Sequence, residues 1–239
     1  MLRLDKWLAE MTEGSRAEVK KWIRQGRVYV NETKVQRPET KLDPGRDQVT
    51  LDGEQIIYEQ FCYYMLNKPA GVVSATTDRE HKTVIDLLQE ANTQDVFPVG
   101  RLDIDTEGLL LLTNDGALAH ELLSPRKHVD KTYFVRIAGN LSDADVKQLE
   151  QGMDIGDEKL TLPAKVSCLE QFPEEQEQTV MIKLREGRYH QVKRMFAKVG
   201  HPLLYLQRVS MGTLTLDDSL KIGEEYVSLP ADEIAALKR

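Results

Sequence analysis

Aromatic residues are scarce in this chain: phenylalanine, tryptophan and tyrosine make up 6% of 239 residues. There are two cysteines, Cys62 and Cys168. Two such distant cysteines cannot form a disulfide framework and are expected to be reduced. The chain has no CxxC or HExxH and no cluster among its five histidines. It therefore lacks the usual zinc-site patterns. Aliphatic runs are no longer than Leu109–Leu112, far short of the roughly 20 residues a membrane-spanning helix needs. The opening MLRLDKWLAE carries charges where a signal peptide needs an apolar stretch, so a cytoplasmic protein is expected. Positive charge is also short: 39 acidic residues against 32 basic give a net charge of −7. Taken alone, that balance argues against a nucleic-acid partner.

The composition that remains, 41% hydrophobic and 30% charged, fits a globular protein with a real core. The distribution of charge points the other way from its total. From Arg16 to Arg46 nine basic residues face four acidic ones, a local +5. From Lys183 to Arg208 seven basic residues face only Glu186, a local +6. Acids gather elsewhere, as in Glu170 to Glu177. Local potential governs phosphate binding more than total charge does.

Residues 1–58 read as a small α+β unit. Leu4, Trp7, Leu8 and Met11 recur at helical spacing. Ser15-Arg-Ala-Glu18 is a capping box for a second helix, which places Val19, Trp22 and Ile23 inward and Arg16, Lys20, Lys21 and Arg24 outward. Gly26 ends that helix. A short hairpin turns at Asn31-Glu-Thr33, and Asp52-Gly53 marks another turn. The tryptophans read as core rather than as base-stacking groups. Residues 59–62 form a joint, and 59–239 read as a second domain. There, strands are expected at Tyr63–Leu66, Leu109–Thr113, Lys131–Ala138, Thr179–Arg185 and within Leu203–Leu216. Helices are expected at Thr83 to about Ala91, Ala117–Leu123, after Ser142, at Tyr189–Val199 and at Pro230–Leu237, with a hairpin-like turn at Asn114-Asp-Gly116. This irregular alternation favours an α+β fold with a mixed, largely antiparallel sheet and flanking helices.

The stretch Gly100 to Gly116, GRLDIDTEGLLLLTNDG, sets two carboxylates just before the most aliphatic run. As a calcium loop, Asp103-Ile-Asp105-Thr-Glu107-Gly108 needs a bidentate acid at its twelfth place, where Asn114 stands, and its later places fall on an apolar strand. As a phosphotransfer nucleophile, Asp103 would end a buried parallel strand, but Phe97-Pro-Val-Gly-Arg101 precedes it, and proline with glycine makes a poor central strand. A third reading is an aspartate on a loop entering a strand, kept ionised by a nearby cation.

Two resemblances decide among these. RLDKWLAE followed by SRAEVKKWIRQGRVYVNETKV resembles an S4-type RNA-binding module, which implies contacts to structured RNA through Arg16, Lys20, Lys21, Arg24 and Arg27. GRLDIDTEGLLLLTNDG, with LNKPAGVVS (Leu66–Ser74), KTYFVRIAG (Lys131–Gly139) and EGRYHQVKRMFAKVGHPL (Glu186–Leu203), resembles the bacterial rRNA pseudouridine synthases. The similar branch is the one acting on small-subunit (16S) rRNA, on a uridine near position 516; a 23S rRNA synthase is the neighbouring alternative. By position, the resemblance implies that Asp103 is the catalytic aspartate, acting at the ribose C1′ or C2′. Tyr133 would stack on the uracil, and Lys193 would be the basic partner of Asp103, with Arg194 as substitute. Arg101, Lys131, Arg188 and Gln191 would contact substrate. Lys183, Arg185, Lys198 and Arg208 are further candidates for holding the RNA backbone around a flipped nucleotide. Asp105, Thr106 and Gly108 would shape the loop. The resemblance implies no cofactor and no metal, an rRNA partner, no membrane and a monomer. A noncatalytic RNA-binding assembly factor on the same scaffold is the reading from another class.

Overall fold

The computed structural model describes residues 1–12, 14–88, 95–217, 219–223 and 225–238. They divide into two units, one ending at Phe61 and the other beginning at Cys62.

In the first unit, α1 (Leu4–Met11) and α2 (Arg16–Arg24) pack their apolar faces together. The capping box at α2 is formed: Glu18 N donates to Ser15 Oγ (3.3 Å) and Ser15 N donates to Glu18 Oε2 (2.9 Å), so two otherwise orphaned amides are satisfied. Strand β1 (Leu2–Arg3) pairs with β4 (Lys41–Leu42). Strands β2 (Val28–Val30), β3 (Thr33–Lys34), β5 (Val49–Leu51) and β6 (Glu54–Ile56) form an antiparallel sheet in the order β3-β2-β5-β6. Its first turn places Asn31 (φ 47) and Glu32 (φ 64) in the left-handed region, as a two-residue hairpin of this twist requires. Trp7 is buried among Leu4, Leu8, Ile23 and Val49, and its indole N–H donates to Ile56 O (3.1 Å). It is a core residue, as expected, and its burial contributes roughly 2–3 kcal/mol. Trp22 is half-buried.

The second unit is built on one sheet. Its strands are β7 (Tyr63–Lys68), β8 (Phe97–Pro98), β9 (Glu107–Thr113), β10 (Lys131–Ala138), β11 (Lys165–Phe172), β12 (Glu177–Leu184), β13 (Leu203–Met211), β14 (Leu214–Thr215) and β15 (Tyr226–Ser228). The order is β11-β12-β10-β13-β9-β7-β15, with β14 on β13 and β8 on β9. Every pairing is antiparallel except β9 with β13. This is the mixed, mainly antiparallel sheet the sequence implies. Helices α3 (Gly116–Leu123), α4 (Asp143–Gln151), α5 (Gln191–Lys198) and α6 (Ala231–Leu237) complete the unit.

Leu109–Leu112 are all fully buried, so β9 is covered on both faces and reads as a continuous apolar run rather than an alternation. Leu109 and Leu111 pack with Leu118 and Leu122 of α3 and Leu237 of α6. Gly108 is required at the parallel seam: it has φ +103, and a Cβ there would meet Arg208 O at 2.3 Å. The loop carrying Asp103 therefore enters the sheet where two antiparallel halves join side by side. Among the described residues no helix is long and apolar enough to cross a membrane.

Three local expectations need correction. Thr83 and Asp86 do exchange capping bonds (Thr83 N to Asp86 Oδ2, 2.8 Å; Asp86 N to Thr83 Oγ1, 3.3 Å). Only a single 3-10 turn, Ile85–Leu87, follows, because the chain bends to bury both Val84 and Leu88; residues 89–91 of the expected helix lie outside the described residues. Asn114-Asp-Gly116 is a helix start rather than a hairpin turn: Asp115 Oδ1 accepts Leu118 N (3.1 Å) and caps α3. Strand β11 is not among the expected strands; it is an edge strand, largely exposed, and lacks the alternation that marks a half-buried strand.

Candidate active site

The loop 100–106 is held from beneath. Ser74 Oγ donates to Leu102 O (2.9 Å) and accepts from Leu102 N (3.0 Å). Gly71 N donates to Ile104 O (2.7 Å), and Thr106 N to Asp103 O (3.0 Å), which closes a tight turn. The Lys68 side chain, wholly buried at the end of β7, donates from its ammonium to Pro69 O (2.9 Å), Asp103 O (3.1 Å) and Thr106 O (2.9 Å). Burial pushes Lys68 down to about 8, against the pull of Asp105, Glu107 and Asp103. With its backbone tied inward, the loop turns the Asp103 side chain out toward a cleft.

The other wall comes from the turn into α5. Lys193, one turn into the helix, sets its ammonium 3.0 Å from Asp103 Oδ2 and 2.5 Å from Asp105 Oδ1. Burial pushes Lys193 down, but its bonds to Asp105 and Asp103 outweigh this and hold it above its usual 10.5. The Lys193 ammonium in turn holds the Asp105 carboxyl below the usual range. Lys193 thus has two carboxylate partners, where the sequence pattern implies one. His190 approaches from the same turn, with Nε2 3.5 Å from Asp103 Oδ1. A cation and an imidazole therefore face different oxygens of the same carboxylate.

The cleft is lined by Arg101, Asp103, Thr106, Tyr133, Leu184, His190, Lys193 and Leu206, among others. Tyr133 lies on β10 between Ile182 and Arg208 of the neighbouring strands and is nearly buried, so its ring forms part of the apolar floor. Arg101 is exposed at the edge. The structure thus brings Asp103, Tyr133, Lys193, Arg101, Arg188 and Gln191 to one cleft.

Other basic candidates have their side chains engaged. Arg188 donates to Glu186 Oε2 (3.0 Å), Lys159 O (2.6 Å) and Leu160 O (2.7 Å). Arg194 donates to Ile155 O and Tyr189 O (2.9 Å) and pairs with Asp157 (2.6 Å), so it is not the partner of Asp103. Both guanidiniums clamp the 155–160 segment to the turn before α5. Gln191 is buried and links Arg188 N (2.9 Å) to Glu186 Oε1 (2.7 Å). Lys131 is buried too, its ammonium on Val129 O (3.0 Å); burial first, and then Arg208, push it down. Arg208, a candidate phosphate contact by its sequence, has its side chain buried and bonded to Leu109 O (2.8 Å), so it stitches β13 to β9 instead. Lys183 and Arg185 share Asp130, while Lys198 is exposed.

Two residues escaped sequence reasoning. Lys68 stands inside LNKPAGVVS, and its signal was a lysine ending an otherwise uncharged strand. His190 lies inside HQVKR, but nothing in the sequence announces that its φ of 49 swings the imidazole toward Asp103. In the first unit, Arg16, Lys21 and Arg24 are exposed and Lys20 is half-buried, while Arg27 is ion-paired with Asp52 and lies over the Trp22 ring.

The first unit carries a basic helix, and the second presents Asp103, paired with Lys193, beside the nearly buried Tyr133. Residues 62–198 match the RNA pseudouridylate synthase family and residues 2–47 the S4 domain family. The chain belongs to the RNA pseudouridylate synthase family and is an RNA pseudouridine synthase with an S4 domain. It is 44% identical to an uncharacterized RNA pseudouridine synthase of Bacillus subtilis (strain 168), over 99% of this chain and 98% of that one. It is 42% identical to the ribosomal small subunit pseudouridine synthase A of Escherichia coli (strain K12), over 99% of this chain and 100% of that one. A solved structure of a pseudouridylate synthase superposes with a TM-score of 0.66 at 35% identity, covering 99% of this chain and 100% of the other.

Proposed function

We propose that this enzyme converts a uridine of small-subunit rRNA to pseudouridine, with Asp103 as the group that acts on the ribose. The observation that carries this reading is the Lys193 ammonium 3.0 Å from Asp103 in a cleft bordered by Tyr133. A carboxylate acting at C1′ or C2′ needs a counter-charge beside it, and the Lys193 ammonium supplies one. Full-length similarity to a small-subunit rRNA synthase supports the choice of RNA.

The reaction is an isomerisation. The N1–C1′ bond breaks, the uracil turns, and a C5–C1′ bond forms; C5 loses a proton and N1 gains one, so atoms balance without a co-reactant. The target must leave its stack to expose the glycosidic bond, at a cost of a few kcal/mol. In this reading Tyr133 stacks on the extruded uracil, Arg101 takes a phosphate or the vacated place at the edge, and Arg16, Lys20, Lys21 and Arg24 hold structured RNA through the first unit.

The test is carbodiimide primer-stop mapping of small-subunit rRNA after incubation with the protein. Wild type should create one new stop. Asp103→Asn should lower its rate by roughly 10³-fold or more while RNA affinity stays the same. No stop on free rRNA, its fragments or assembly intermediates would sink the choice of RNA, and an active Asp103→Asn enzyme would sink the assignment of the nucleophile.

A further inference from the structure

Tyr189 is 77% exposed, although it immediately precedes a histidine that reaches the reacting carboxylate. One face of its ring is covered by the His190 imidazole, with centroids 3.8 Å apart and planes 18° from parallel. The other face is open. The stack is held in place from both ends. Arg194 Nη1 donates to Tyr189 O (2.9 Å), and Arg194 is itself anchored on Ile155 and Asp157. His190 sits in the left-handed region at φ 49, a conformation that costs a non-glycine residue free energy and gathers at functional sites. Tyr189 does not line the cleft, whereas His190 does, so the stack leads from the cleft wall to its rim.

A single exposed aromatic is ordinary on a protein surface. This one differs in being stacked flat on the imidazole that reaches Asp103, with the Arg194 guanidinium bonded to its own carbonyl oxygen. An aromatic face beside positive charge is the arrangement that binds unpaired nucleobases. We infer that the open face of Tyr189 is a stacking site for an unpaired base flanking the target uridine, with His190 as the ring that fixes the platform against the Asp103 loop. The inference rests on the RNA-modification reading above and adds to it a second base site outside the cleft. Stacking tolerates any base, so the site gives affinity and register rather than sequence readout.

The test uses the full-length protein and a single-stranded RNA oligonucleotide with 2-aminopurine beside a uridine. Binding to wild type should change the 2-aminopurine fluorescence, and Tyr189→Ala should abolish that change. On small-subunit rRNA, Tyr189→Ala should raise KM by ~5–100-fold and leave kcat within about two-fold. Tyr189→Trp should restore both readouts; Tyr189→Leu, with similar apolar bulk and no π-face, should restore neither. Thermal stability should be the same in all variants. An unchanged fluorescence response in Tyr189→Ala, or full rescue by leucine, would overturn the platform. The oligonucleotide readout does not require turnover, so it judges this site even if small-subunit rRNA proves the wrong substrate.

Discussion

Lys68 and Lys193 grip the same loop from opposite sides, and their surroundings could hardly differ more. Lys68 is buried and meets backbone carbonyls, while Lys193 is partly exposed and meets two carboxylates. Burial pushes the first down to about 8, whereas the second is held above 10.5 by its acids. One lysine fixes the backbone that carries Asp103; the other places a counter-charge beside its carboxylate. Placement and reactivity are thus separable by mutation, although the two ammonium groups act on the same few residues.

Among the two lysines and Asp105, the largest expected effect sharpens that division. Lys193→Met should lower kcat by roughly 10²–10³-fold, the range for removing one group that stabilises charge at a reacting centre, with little change in melting temperature because the pair is partly exposed. Single-turnover kinetics alongside thermal melts check both halves. Lys68→Met should show the opposite balance. Leaving its carbonyls without a donor costs roughly 2–3 kcal/mol, a drop of about 5–10 °C in a domain of this size. Activity would fall through a misplaced loop, so a Lys68→Met protein that melts like wild type would break the comparison.

Asp105→Asn probes the second carboxylate on Lys193. Asp105 is the more exposed partner, so the change should cost less than about 1 kcal/mol of stability and lower kcat by roughly 2–10-fold, read by rate assays at neutral pH. The smallest effect is in pH dependence. A raised lysine contributes stability that is fully present below 10.5 and is lost only as pH rises through its raised value, so the Lys193 pairs should be constant between about pH 6 and 9. Lys68, depressed to about 8, behaves in the reverse sense. The unfolded chain holds more protons between about 8 and 10.5, and the burial cost of Lys68 fades as pH rises through that window. The loop meanwhile loses one N–H donor. A shallow alkaline decline in kcat/KM centred near 8 should therefore appear alike in wild type and Lys193→Arg.

The sequence was most informative where function occupies a contiguous motif. Asp103, Tyr133 and Lys193 each sit in such a motif and meet in one cleft, and β9 announced itself as four leucines. It was least informative where the partner is backbone. The role of Lys68 depends on which carbonyls converge around it, and carbonyls carry no residue signature. His190 depends on one left-handed dihedral angle, for which histidine is no signal. Arg194 and Arg208 illustrate the converse difficulty: a basic residue in a basic stretch looks like a site cation until the fold brings Asp157 or a strand carbonyl to meet it.

The parallel seam at Gly108 and Arg208 has a consequence for how the enzyme is born. The two strands it joins are a hundred residues apart in the chain, and Lys193 lies within that interval near its far end, 90 residues from its partner Asp103. A growing chain emerges N-terminus first, so the RNA-binding unit and the Asp103 loop are outside the ribosome well before their counter-charge and supporting strand exist. The Asp103–Lys193 pair and the strand that supports its loop are complete only when synthesis has passed β13.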